Sequence, residues 1–157
     1  MEWDLKKELE QLHRTSASAS PVARLRAVNH RLASVQTDPP GTRLIAAVSG
    51  VEALSRSLIV HAAGRPPSTA DMRYRQVRTA GPIELVEDVL RLYGAAEGSA
   101  QFGADTWMLF GLAHEYRNLL VHECARIEHD RCTPLLAATE RVFKGLVEVG
   151  GLPRVVA

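Results

Sequence analysis

Apolar residues recur three to four positions apart over most of this chain, and no stretch alternates with the period of two that marks a half-buried strand. Trp3, Leu5, Leu9 and Leu12 fall close to helical spacing among charged residues, which predicts a short amphipathic helix over Glu2 to Arg14. Thr15 to Ser20 is small and polar, a linker or cap region. Pro21 suits the first turn of a second helix, expected to reach about Gln36 with Val22, Leu25, Val28 and Leu32 as its stripe. Asp38-Pro39-Pro40-Gly41 ends it. Thr42 to Ala63 carries the longest pattern, with Leu44, Val48, Val51, Leu54, Leu58 and Ile59 on one side, and is expected to be a central helix. Beyond the break at Gly64 to Pro67, the arginine-rich piece Ser68 to Thr79 has a helicity that its pattern does not decide. Gly81-Pro82 restarts a helix over Ile83 to Tyr93, and Gly94 to Gly103 reads as a loop. Asp105 or Thr106 caps the next helix, Thr106 to about Glu123. A polar connection, Cys124 to Cys132, leads to Thr133-Pro134 as cap and first turn of a last helix ending near Val149, with Leu152 to Ala157 as a tail.

The expected fold is therefore all-α, a bundle of about five to six helices. Residues 1–20 form an N-terminal helix and linker, and residues 21–157 a single helical domain. Its core is expected from Val48, Val51, Leu54, Leu58, Leu112, Tyr116, Leu119, Leu135, Leu136, Val142 and Leu146. Charge changes the picture little: 19 basic and 18 acidic side chains nearly cancel, so a polyanion would have to be held by a local patch. Two cysteines and an amino terminus without an apolar leader point to the reducing cytoplasm. No apolar stretch approaches the roughly 20 residues needed to span a bilayer.

The candidate chemistry lies on the Thr106 to Glu123 helix. At about 100° per residue, Met108, Leu109, Leu112, Tyr116 and Leu119 gather on a face expected to meet the core, with Leu120 at its edge. Opposite runs a stripe of Trp107, Gly111, His114, Asn118 and His122, flanked by Phe110, Arg117 and Val121. A solvated face normally favours lysine and glutamate. This mixture of histidines, an arginine, an amide, aromatics and a glycine suits a surface partly covered by another chain, with polar groups kept for a cleft. The plainer reading is that His122 and Arg117 complement the helix dipole for up to about 1 kcal/mol.

Order and context favour the sharper reading. The run Arg117-Asn118-Leu119-Leu120-Val121-His122 resembles the R-x4-6-H motif of the HEPN (higher eukaryotes and prokaryotes nucleotide-binding) family, which usually begins Arg-Asn near the end of a late helix. The stretch Ala46 to Val60, with Glu52 and Arg56 in an apolar stripe, is similar to the family's early helices, where a charged residue often faces the motif. The resemblance spans Thr42 to Val149. It implies an HEPN-like bundle and metal-independent cleavage of RNA as a toxin, an antiphage factor or a processing enzyme. Arg117 would hold the phosphate and His122 would transfer protons, with Asn118, His114 and Glu52 in support. One histidine does not easily serve both sides of a phosphorus atom, and the family's answer is a homodimer with two motifs across one cleft. An antitoxin or defence-system protein is a further implied partner; no metal, cofactor or membrane is. The alternative is a non-catalytic helical dimer that binds nucleotide, RNA or a protein as a regulatory module. One position departs from the pattern: toxins paired with a nucleotidyltransferase antitoxin carry a tyrosine two residues after the motif histidine, where this chain has Cys124.

Other groupings carry less. His122, Cys124, His129 and Cys132 are zinc-ligand types, but H-x-C-x4-H-x2-C matches no compact site, and a polar loop with two reduced thiols is the plainer account. Arg65, Arg73, Arg75 and Arg78 surround Tyr74 and suit a phosphate backbone, although most such runs are solvated loops; Arg24, Arg26 and Arg31 are similar. His13, His30 and His61 read as surface or structural histidines. Gly94 to Gly103 lacks the spacing and the preceding strand of a phosphate-binding loop.

Overall fold

The computed structural model describes residues 1–154, and these form helices α1 (Glu2–Ser18), α2 (Pro21–Ser34), α3 (Pro40–Val60), α4 (Ala70–Val77), α5 (Pro82–Leu92), α6 (Gly98–Phe102), α7 (Ala104–His122) and α8 (His129–Val149). A 3-10 turn, Pro67–Thr69, precedes α4, and no strand occurs among the described residues. Prolines at the first turns of α2, α3 and α5 supply the fixed φ a helix start needs, and the Ser20 hydroxyl accepts the Ala23 N–H at 3.2 Å. The last three residues of the expected tail, Val155, Val156 and Ala157, lie outside the described residues.

The all-α expectation holds, but eight α-helices exceed the five to six expected. Both extra helices depend on distant partners. In α4, Arg73 is buried and its Nε and Nη2 donate to the Val60 carbonyl at 2.9 and 2.7 Å, capping the C-terminus of α3. Its Nη1 bonds the Pro66 carbonyl and the Thr69 hydroxyl, so Arg73 is a structural clamp rather than part of a solvated basic run. In α6, the Gly98 N–H donates to Glu87 at 2.9 Å and Phe102 lies directly over Gly145 of α8. The expected linker at Thr15 to Ser20 is helical as far as Ser18, with the Thr15 and Ser18 hydroxyls turned back onto the Gln11 and Thr15 carbonyls instead of breaking the helix. Helix α8 begins at His129, not at Thr133-Pro134; the missing Pro134 N–H strands only the carbonyl of exposed Asp130, which water can serve.

Helix α3 is central as expected, packing on α2, α5, α7 and α8. Its C-terminal half joins Leu85, Val86, Val89, Phe110, Val142 and Leu146 in one apolar cluster, and its N-terminal half joins Ala113, Cys132, Leu135 and Leu136 in another. Of the expected core, Val48, Val51, Leu54, Leu58, Leu135, Leu136, Val142 and Leu146 are buried, and Tyr116 is half-buried against the second cluster. Leu112 and Leu119 are not: they stand 39% and 49% exposed. Phe110, expected beside the outward stripe, is wholly buried instead. Apolar residues surround α7 on every side, so periodicity does not choose a face, and burying one aromatic ring yields about 1.5–3 kcal/mol. Helix α1 packs on α4, and its Leu5, Leu9 and Leu12 remain exposed.

Candidate functional site

The inward line of α7 is Thr106, Phe110 and Ala113, all buried, and helical spacing continues it to Arg117. The motif arginine is thereby aimed at α3. Its Nη1 meets Glu52 Oε1 at 2.5 Å and the Ser49 hydroxyl at 3.4 Å, while its Nε donates to Asn118 Oδ1 at 3.1 Å. Its Nη2 lies 3.4 Å from His114 Nδ1. Arg117 and Glu52 retain only 13% and 15% side-chain exposure, so the pair is largely desolvated yet reachable at one edge. Ser49 sits one turn before Glu52 on α3, and nothing in its sequence context marked it beforehand.

His114 is half-buried one turn before Arg117. Burial lowers its pKa most and the Arg117 charge lowers it further, against smaller upward pulls from Glu52 and Glu115. The ring is thus held neutral near neutral pH, free to accept at Nδ1 from Arg117, with the proton on Nε2. That Nε2 faces the turn before α5, where a Cβ on Gly81 would stand 3.8 Å away.

His122 is different. It ends α7, exposed, five residues beyond Arg117 and therefore about 140° round the helix and roughly 7.5 Å along it. Within one chain the fold gathers Arg117, Glu52, His114 and Asn118 and leaves His122 facing outward. Along the outward line lie Met108, Leu112 and Leu119, all exposed, beside Gly111, whose Cβ position has no atom within 4 Å. Trp107, expected on the functional stripe, instead covers Gly98 and stacks on Phe102 at 5.8 Å.

No family model, curated protein or solved structure matches the chain.

Beyond His122 the chain leaves α7 through Cys124, at φ 51, while the Ala125 N–H reaches back to the Leu119 carbonyl at 3.3 Å, a left-handed C-cap in a residue other than glycine. Cys124 is exposed, whereas Cys132 is buried with its thiol donating to the Pro40 carbonyl at 3.3 Å. Among the described residues no three histidine, cysteine or acidic side chains form a metal-binding group. Burial raises the Cys132 pKa, with Arg43 opposing, as for an inert core thiol.

Two clefts flank the bundle. One of about 700 Å³ lies between α2, α3 and α8, over Leu25, Leu32, Leu136 and Phe143 with Arg43 and Lys144 at its rim. The other, about 880 Å³, lies between α1 and α4. Neither is lined by Arg117 or His122. No helix among the described residues is long and apolar enough to cross a membrane.

Proposed function

We propose that this chain is an HEPN-like, metal-independent endoribonuclease, acting as a toxin, in antiphage defence or in RNA processing, and that its site is composite in a homodimer. The observation that carries the reading is Arg117 turned onto Glu52 with a neutral histidine and an amide against the same guanidinium. A fixed planar cation beside a proton-transfer group is what cleavage by the substrate's own 2′-hydroxyl requires. A base removes the 2′-proton, the oxygen attacks phosphorus, and an acid protonates the departing 5′-oxygen, leaving a 2′,3′-cyclic phosphate and a 5′-hydroxyl. A two-fold contact through Met108, Leu112 and Leu119 would bring both copies' His122 into one cleft and supply base and acid from the two chains.

The test is cleavage of single-stranded RNA by the purified full chain in excess chelator. His122→Ala is expected to lose about 10²- to 10⁴-fold in turnover. Arg117→Lys keeps a charge against Glu52 but loses the fork, and should lose a comparable factor. Cleavage surviving both substitutions, or a strict monomer in sedimentation at about ten micromolar, a concentration at which ordinary dimers form, refutes the composite site.

One observation favours the alternative, a non-catalytic HEPN-like dimer that binds nucleotide, RNA or a protein as a regulatory module. Glu52 and Asn118 already occupy two of the three guanidinium nitrogens. Wild-type protein that binds RNA and never cuts it selects that reading.

A further inference from the structure

The cleft between α1 and α4 holds cations that the Arg117 site does not use. Its walls carry His13, Arg14, Arg75 and Arg78 around Tyr74, against the acids Glu10 and Asp71. Asp71 is committed to Arg75 at 3.0 Å. Arg14 has only the Gln11 amide at 3.4 Å, and Arg78 has no side-chain partner among the described residues.

Arg24 and Arg56 interact electrostatically with each other near Tyr74 without lining the cleft. Arg24 of α2 is half-buried and donates to the Ser16 carbonyl at 2.9 Å, with no carboxylate against it among the described residues. Burial lowers its pKa most; the Tyr74 phenol pulls it up and the nearby Arg56 guanidinium pushes it down.

A short stretch of chain joins the cleft to the Arg117 site. On α3, Arg56 follows Glu52 by four residues, roughly 6 Å along the axis. At the other end Arg78 closes α4, and the turn after it brings Gly81 against His114. Unneutralised guanidinium groups flanking an aromatic ring are the chemistry of a single-stranded nucleic acid track, in which cations follow the backbone and a base stacks on the ring.

We infer that the α1–α4 cleft binds single-stranded RNA, seating a base on Tyr74 and phosphates on Arg14 and Arg78, and leads the strand toward Arg117. The choice of RNA over other polyanions rests on the ribonuclease reading; the cleft itself rests on its own charges.

The experiment is fluorescence anisotropy of a labelled oligouridine decamer on the full chain over a series of salt concentrations. Cleavage of the same oligomer is followed separately. Arg14 and Arg78 are exposed, so Arg14→Glu/Arg78→Glu should fold, which circular dichroism checks. That double variant should bind weakly and reduce the slope of log affinity against log salt by about 0.7 per lost phosphate contact. Tyr74→Ala should weaken binding by roughly 5- to 100-fold with the slope unchanged. A photoreactive 5-iodouridine oligomer should crosslink at Tyr74.

Wild-type affinity and slope in the charge-reversed protein overturn the cleft while leaving the Arg117 reading intact. RNA binding that depends on these residues without any cleavage supports the cleft and removes the ribonuclease. Absence of oligouridine binding by the wild type at about 50 mM salt, or equal capture of polyglutamate, overturns the inference in favour of no ligand or an acidic protein partner.

Discussion

Replacing Glu52 by glutamine tests the central contact of the site without changing its shape. The carboxylate pairs with Arg117 at 2.5 Å with both side chains mostly covered, so the contact lies between an exposed pair, worth about 0–1 kcal/mol, and a fully buried one, whose breaking costs about 3–5 kcal/mol. Glutamine keeps an oxygen for Nη1 and loses the charge, so a loss near 2 kcal/mol is expected, equivalent to a fall in Tm of about 4–8 °C for a chain of this size. The same substitution has an electrostatic signature. Glu52 raises the His114 pKa and Arg117 lowers it, so Glu52→Gln should move the His114 titration down and Arg117→Lys should leave it close to wild type. Urea unfolding gives the first quantity and NMR titration of the imidazole the second. An unchanged stability together with a His114 pKa that stays put or rises would refute the description of Arg117, Glu52 and His114 as one coupled cluster.

Because the folded-state pKa of His114 lies below its ordinary value of 6.5, the neutral ring's stabilising contribution is complete above that pH. It is lost as the pH falls from 6.5 through the folded value, so the stability difference between wild type and His114→Gln should shrink over that window. Ser55 is fully buried and its hydroxyl has no partner among the described residues, so Ser55→Ala should be neutral or stabilise by up to about 1 kcal/mol in urea unfolding; a clear loss would show that the hydroxyl is bonded. Cys124 holds a left-handed φ that costs a side chain about 1–2 kcal/mol, partly offset by the entropy of an unfolded glycine, so Cys124→Gly should raise stability by about 0.5–1 kcal/mol. A lower Tm in that variant would argue that the thiol makes a contact of its own.

Much of this was legible in the sequence, for physical reasons that differ between elements. The starts of α2, α3 and α5 are set locally by proline and small polar residues, and the apolar stripe of α3 is long enough to identify the central helix. Helices α4 and α6 were not legible, since one is held by Arg73 reaching the Val60 carbonyl and the other by Glu87 and Gly145, all far off in sequence. The orientation of α7 failed for another reason. Met108, Leu109, Phe110, Leu112, Leu119 and Leu120 ring the whole helix, and only the shape of the space beside Leu85, Val86 and Val142 selects Phe110 over Leu112 and Leu119. The same rotation drew Arg117 toward Glu52, a grouping that the motif resemblance anticipated, and separated it from His122, which the resemblance treated as its working partner.

That rotation bears on how a polyanion would be held. Arg117 and Glu52 together carry no net charge, so their pair offers direction to a phosphate but little attraction, and the chain as a whole contributes only +1. Attraction has to come from cations without carboxylate partners, and Arg14 and Arg78 of the α1–α4 cleft are two of these. Binding and chemistry would then respond differently to salt. Affinity for RNA should fall steeply with salt, because exposed guanidinium groups release counterions on binding. Turnover at saturating RNA should change little, because Arg117 is largely desolvated against Glu52 and, in the composite site, His122 would be enclosed between the two copies. A turnover that collapses with salt in step with affinity would mean that the chemistry is done by groups open to solvent rather than enclosed between two copies, and that the Arg117–Glu52 pair serves only to lock α7 onto α3.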